Sequence, residues 1–299
     1  MTGSLLTGLA LARGGCRAPM ELKADPDWWA RALAAGALGV EVSGDRIDVD
    51  GDARLNWRPV GAGDLDRAVL LSESDRVIRV AVLAERAGAW PSLRVVGAEL
   101  QDSEVADATA AVALATWHSR HPRCPRCGGP TGMHEAGWAR ICLHDQSVHY
   151  PRSDPAVIVL VRDAEDRALL GRRADWPPNW YSTLAGFVEA GESAEQAVAR
   201  EIAEEAGVEI LPESLDYRGS QPWPFPSSLM LGYHAWVADS APATTPDLDE
   251  IAEARWLTRA ELAAGAADGT VRVPPPVSIA RHLIEDWFGD RLPSDWSRP

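Results

Sequence analysis

Residues 186–208 read GFVEAGESAEQAVAREIAEEAGV, a stretch that specifies a helix with both ends marked. Ser193 followed by Gln196 makes a capping box and Gly207 supplies a stop, so the helix is expected over about 194 to 206. At about 100° per residue, Glu201, Glu204 and Glu205 fall on one narrow face beside an apolar stripe of Val198, Ile202 and Ala206. Like charges at that spacing repel by a few tenths of a kcal/mol per pair, and Arg200 offsets only part of this through its i,i+4 relation to Glu204. A solvated acidic face is the simplest account of three glutamates. A hard divalent cation, magnesium or manganese, would instead turn the repulsion into a site that also accepts phosphate oxygens.

The flanking pattern places this helix in an α+β domain. Ala156–Val161 reads as a buried strand, 163–167 as a turn and Ala168–Arg172 as the returning strand. Further strands are expected near Leu229–Val237 and Ala254–Leu257, then a short helix opened by Thr258 and Glu261, and a last helix over Val277–Phe288. The first 118 residues are β-rich, with strands at Arg46–Val49 and Val77–Leu83, one amphipathic helix over 25–38 and another over Val105–His118. Between 119 and 152 the composition turns to Cys, His, Pro and Gly without periodicity, as in a small unit held by something other than an apolar core. The expected division is 1–118, 119–152 and 153–299.

A formal charge of −15 argues against broad electrostatic binding to nucleic acid or anionic lipid. No apolar run approaches the roughly 18–20 residues that cross a bilayer. The opening MTGSLLTGLALARGGC lacks a basic leader, so a cytoplasmic location is expected.

Residues 220–228, SQPWPFPSS, alternate Pro222, Pro224 and Pro226 with Trp223 and Phe225. None of these prolines donates a ladder hydrogen bond, and each pushes its predecessor toward extended geometry. A stiff extended loop is expected, holding two aromatic rings in set directions. Such rings can stack on a base or nicotinamide, and Gln221, Ser227 and Ser228 can hydrogen-bond ribose or amide; core filling is the plainer alternative.

Gly186, Glu192, Arg200, Glu201, Ile202, Glu204, Glu205, Gly207 and Val208 match G-x5-E-x7-R-E-U-x-E-E-x-G-U, where U is aliphatic. This resembles the Nudix hydrolase box. With SQPWPFPSS following it, the chain resembles the NADH pyrophosphatase family, strongest from Cys124 to Trp287 and weak before about residue 90. The resemblance implies a Nudix α/β/α sandwich, a zinc-ribbon-like linker, a β-rich scaffold domain and a homodimer. It implies metal-dependent cleavage of the diphosphate of NAD(H) to nicotinamide mononucleotide and AMP, and removal of NAD caps from RNA. Glu201 and Glu205 would hold magnesium or manganese with Glu250 and the Ala185 carbonyl. Glu205 would also orient or deprotonate water, with Glu204 and Arg200 in support. Gln221 to Ser228 would line the dinucleotide site, with Tyr150, supplied by the other subunit, and Phe187 at the nicotinamide end. Ala280 and Arg94 would make weaker contacts.

Cys124 and Cys127 in CPRC are followed by Cys142 and Asp145 in CLHD, where the family pattern has CxxC twice. Asp145 in register, His144 and His149 remain as fourth ligands of a structural zinc, since zinc accepts carboxylate and imidazole. A metal-free ribbon held by packing is the alternative, and a reducing cytoplasm disfavours a disulfide. Competing functions are hydrolysis of ADP-ribose or dinucleoside polyphosphates, and a non-catalytic nucleotide sensor. The intact proline-rich loop counts against the first pair, and the intact glutamates against the sensor.

Overall fold

The computed structural model describes residues 4–15, 18–74, 76–246, 249–293 and 296. Cys16, the start of the amino-terminal segment, and Asp247 and Leu248 before Glu250 lie outside these residues. Two compact units divide the chain: Leu11–Ser153 with Pro222–Ser228, and Met1–Ala10 with Asp154–Gln221 and Leu229–Pro299.

The first unit opens with helices α1 (Met20–Lys23) and α2 (Trp28–Ala34). Strands β1 (Leu38–Ser43), β2 (Arg46–Ile47), β3 (Arg58–Pro59), β4 (Ala68–Ser74) and β5 (Val77–Leu83) form a sheet ordered β2-β1-β5-β4, with β3 beside β1. The helix expected over 25–38 is shorter than its apolar pattern. Gly36, at φ +68°, takes the left-handed conformation that ends α2, and Leu38 already pairs with β5. Trp28 and Trp29 pack with Leu70, Val80 and Val82. Helices α3 (Leu93–Val96) and α4 (Asp102–Arg120) follow.

Strands β6 (Thr131–His134), β7 (Ala139–Cys142) and β8 (Val148–His149) make the small antiparallel ribbon. It is tied to the amino-terminal sheet and α4 by specific bonds. Trp138 Nε1 donates to the Leu70 carbonyl at 2.7 Å. Buried His118 accepts at Nδ1 from Arg140 and donates from Nε2 to the Gly137 carbonyl, both at 2.8 Å. Arginine can only donate, which fixes that tautomer. Gly137 lies against Val69, where a Cβ would come within 2.7 Å of a methyl.

In the second unit β9 (Asp154–Arg162), β10 (Ala168–Arg173), β11 (Leu184–Phe187), β12 (Asp216–Trp223), β13 (Ser228–Trp236) and β14 (Ile251–Leu257) form one sheet. Its order is β12-β13-β9-β10-β14, with β11 also on β9. Strand β9 is apolar on both sides because both faces are covered. Val157, Val159 and Val161 face α5 (Ala194–Ala206), while Ile158 and Leu160 join the core of α6 (Arg259–Asp268) and α7 (Ile279–Phe288). The result is a helix–sheet–helix sandwich. Both expected capping boxes, Ser193/Gln196 and Thr258/Glu261, are formed. No helix among the described residues is long and apolar enough to cross a membrane.

The proline-rich segment differs from a continuous extended loop. Gln221–Trp223 end β12, residues 224–227 form the turn, and Ser228 begins β13. Pro222 is tolerated in a strand because β12 lies at the sheet edge. Gln221 is fully buried: its amide nitrogen donates to the Val277 carbonyl at 3.1 Å and its oxygen accepts from the Ile279 N–H at 2.8 Å. It braces β12 against the entry to α7. Gln221→Ala would orphan both backbone groups and should cost about 1–3 kcal/mol. Chemical denaturation checks this, and an unchanged unfolding midpoint would exclude the brace.

Candidate functional site

The acidic helix meets the sheet at β11. The Ala185 N–H donates to Glu205 Oε2 at 3.1 Å. One residue on, a Cβ at Gly186 would stand 1.8 Å from the Glu201 carboxyl carbon. Glycine at 186, with no special φ, leaves the Glu201 carboxylate its place close against the strand; a Cβ would push that carboxylate aside. Apolar packing sets that distance, since Ala197, Val198, Ile202 and Ala206 are buried against Val157, Val159 and Leu184.

Arg200 ties the acids together. Its Nε and Nη2 donate to the two oxygens of Glu192 at 2.9 and 2.8 Å. Nη1 donates to Glu201 at 2.8 Å and Glu204 at 2.9 Å, and Nη2 also reaches the Phe187 carbonyl at 2.8 Å. All five guanidinium donors are used. The sequence pattern contains Glu192 but gives it no role; here the Arg200 hydrogen bond, helped by the Glu189 N–H, holds its carboxyl well below the usual range.

The three helix glutamates share a face but not an environment. Glu204 is exposed, Glu201 partly buried and Glu205 buried. Glu205 leans toward the apolar stripe, and burial pushes its pKa up to about 8, outweighing the Ala185 hydrogen bond, with Glu201 and Glu250 adding repulsion and Arg173 opposing it. Burial also raises Glu201. Glu250 is exposed, and its carbonyl accepts from the Ala174 N–H at 3.2 Å. The donor set is all carboxylate and carbonyl oxygen with an excess of negative charge, which fits a hard divalent cation. The helix acids are not drawn into a tight ligand cluster, because Arg200 holds Glu201 and Glu204.

A carboxyl whose folded pKa lies above its unfolded value stabilises the fold while protonated and loses that contribution as pH rises. The metal-free protein should thus lose stability from the ordinary value of 4.5 up to about 8. The loss should not exceed about 1.4 kcal/mol per pH unit. Glu205→Gln should flatten it, as thermal denaturation in chelator would measure; equal pH slopes in both proteins would exclude the buried carboxyl as its source.

In the other unit, Trp223 and Phe225 meet edge to face, centroids 4.9 Å apart. The Arg94 guanidinium lies over Phe225 at 4.0 Å and Trp223 at 5.2 Å, and Nη2 donates to the Phe225 carbonyl at 3.4 Å. Arg94 and the proline-rich turn are therefore brought together. Tyr150 is exposed, its hydroxyl 3.4 Å from Glu135 Oε1, and Phe187 is exposed on β11. Ala280 is buried in the core beneath α7. Gln221 is buried with its amide bonded at both ends, so it is not exposed to a ligand as the sequence suggests.

In the ribbon, ligand atoms of Cys124, Cys127, Cys142 and Asp145 all lie within 4.8 Å of one another. Among the described residues no other group of three or more His, Cys, Asp or Glu converges so closely. Backbone N–H groups of Arg126, His144 and Asp145 point at the Cys124 and Cys142 sulfurs, each at 3.4 Å. Asp145 is oriented by the Ser147 hydroxyl and N–H at 2.5 and 2.9 Å. His149 Nε2 lies 3.3 Å from Cys124 Sγ and 2.9 Å from Ser147 Oγ. Three thiols and a carboxylate suit tetrahedral zinc.

Residues 152–274 match the NUDIX domain, and 119–150 match the NADH pyrophosphatase zinc ribbon domain. The two matched stretches adjoin along the chain and between them take in the cysteine ribbon and the acidic helix. Among its relatives, the NAD-capped RNA hydrolase NudC of Mycobacterium bovis is 45% identical over 203 residues, 65% of this chain and 64% of that protein. The matched part thus spans just under two thirds of that relative. The human NAD-capped RNA hydrolase NUDT12 is 39% identical over 202 residues, 64% of this chain and 43% of its own. A Nudix hydrolase structure from Nitrosomonas europaea superposes with a TM-score of 0.42 at 22% identity, covering 57% of this chain and 94% of that one.

Sequence reasoning left two features of this chain without a role. Arg173 lies one residue past the expected strand Ala168–Arg172, and nothing in its spacing links it to Glu205. Ser147, the partner of Asp145, carried no signal beyond lying near the cysteines.

Proposed function

We propose that this chain hydrolyses the diphosphate of NAD(H) to NMN or NMNH and AMP, and that NAD-capped RNA 5′ ends are also substrates. The observation that carries the hydrolase reading is Glu205, buried yet ionisable within a complete Nudix box, with burial and carboxylate repulsion relieved by protonation when no cation is present. The names of the relatives and the intact SQPWPFPSS support the dinucleotide.

We assign Glu201, Glu205, Glu250 and the Ala185 carbonyl as ligands for magnesium or manganese. A bound divalent cation supplies positive charge for the nonbridging phosphate oxygens. Glu205, steadied by the Ala185 N–H, orients the attacking water and takes its proton. An oxygen–phosphorus bond forms as the bridging one breaks, and the bridging oxygen leaves with one nucleotide. Arg200 positions Glu201 and Glu204. Trp223 and Phe225 stack on a ring of the dinucleotide, Ser227 and Ser228 hydrogen-bond to it, and the prolines stiffen the turn. Phe187 and Tyr150 flank the nicotinamide end, with Tyr150 contributed across a homodimer; its exposure leaves it available. Cys124, Cys127, Cys142 and Asp145 hold a structural zinc.

Incubation of the purified chain with NADH, ADP-ribose and a dinucleoside polyphosphate tests the reading by product chromatography. NMNH and AMP should form fastest from NADH and only with added magnesium or manganese, and Glu205→Gln should lower kcat by orders of magnitude without unfolding the protein. Turnover indifferent to chelator, or near-normal kcat in the variant, would overturn it. Metal analysis of protein prepared without added zinc should find about one zinc per chain, lost in Asp145→Ala, given four-coordinate sites of this kind; zinc-free protein would favour a ribbon held by packing.

A further inference from the structure

The cluster of acids raises a question about charge. A diphosphate brings its own negative oxygens to Glu192, Glu201, Glu204, Glu205 and Glu250, while Arg200 has every donor committed to Glu192, Glu201, Glu204 and the Phe187 carbonyl. A side-chain cation facing the substrate would share that charge with the bound metal, and one stands at the end of β10. Along that strand Leu169 faces the α5 core, and a Cβ at Gly171 would run into Leu184, which also lies in that core. Ala168 and Leu170 face the opposite core. Alternation carries Arg173 onto the α5 side. The register with β14 shifts between Arg172 and Arg173, from Glu253 to Ile251, so the extra residue, Ala252, lies in β14 and leaves the alternation of β10 intact. The next N–H, that of Ala174, donates to the Glu250 carbonyl at 3.2 Å, which fixes Arg173 beside that acid. Its neighbour Arg172 lies on the other face near Glu253. The ion pair Arg173 makes is a loose one, 3.4 Å to Asp175, with both side chains largely in solvent at 48% and 72% exposure.

We propose that Arg173 is a substrate-binding residue whose guanidinium takes nonbridging oxygens of the diphosphate, exchanging the exposed Asp175 for the ligand. This rests on the Nudix diphosphatase reading for the ligand class, but its test does not depend on turnover. A planar fork with two adjacent N–H donors suits a phosphate better than a point charge does. Loss of a charge-assisted pair of this kind weakens binding about 10- to 100-fold.

The experiment is calorimetric binding of a non-hydrolysable NAD analogue carrying a methylene-bridged diphosphate, at saturating manganese, to the intact chain and to Arg173→Gln and Arg173→Lys. Manganese affinity and thermal stability are measured alongside. The expected result is analogue affinity about tenfold or more weaker in Arg173→Gln and partly recovered in Arg173→Lys, with manganese affinity and stability near those of the intact chain. Unchanged analogue affinity, a loss fully explained by weaker manganese binding, or no binding by the intact chain would each overturn the proposal. If the intact chain binds but never cleaves NADH while Arg173→Gln still loses affinity, the catalytic reading fails and the Arg173 contact stands.

Discussion

The approach of α5 to β11 is the constraint on which the site depends. Ile202, Val198 and Ala197 seat the helix against β9 and β11 at a distance where the Glu201 carboxylate fills the space a Cβ at position 186 would take. That distance brings Glu205 to the Ala185 N–H and lets Arg200 reach the Phe187 carbonyl. The charged residues do not position the helix; an apolar contact does, and the charges are arranged upon it. This is why the apolar stripe and the acids occupy adjoining strips of one short helix.

Three glutamates coexist on that strip by different means. Glu201 and Glu204 both accept from Arg200, and Glu204 also stays in water, where repulsion is screened. Glu205 has no arginine in hydrogen-bond contact among the bonds described, and protonation neutralises it instead. Arg200 in turn is held by Glu192, which lies outside the helix and contributes both carboxylate oxygens. The R-E-x-x-E-E spacing is therefore a graded arrangement, with the least hydrated acid, the one most reluctant to ionise, closest to the strand.

Much of this was legible in the sequence, for definite reasons. A capping box and a Gly207 stop are local chemistry, so the helix ends fall at Ala194 and Ala206 as the pattern predicts. An apolar run with both faces covered gave β9. The short helix at 28–34 was overextended because an apolar pattern does not report that Gly36 turns left-handed or that β1 captures Leu38 for its ladder. SQPWPFPSS was misread as a continuous loop because a proline-bearing strand is permitted at a sheet edge, and edge position is a property of the whole sheet. Gln221 shows the same limit. From sequence its amide is free for a ligand, and only the tertiary fold reveals that Val277 and Ile279 take both ends.

The ribbon carries this logic to a point of chemistry. Replacing a thiolate by Asp145 puts one more rotatable bond before the donor and hardens it, so the carboxylate must be aimed more closely than a polarisable sulfur would need. The chain supplies that aim two residues later, where Ser147 binds the same carboxylate oxygen through both hydroxyl and N–H, leaving Oδ2 directed at the thiols, 3.9 Å from Cys124 Sγ. His149 borders the same sulfur but stands outside the converging set. The departure from a four-cysteine pattern thus comes with local bonds that hold the carboxylate toward the three thiols, through a serine whose role is visible only in the folded ribbon.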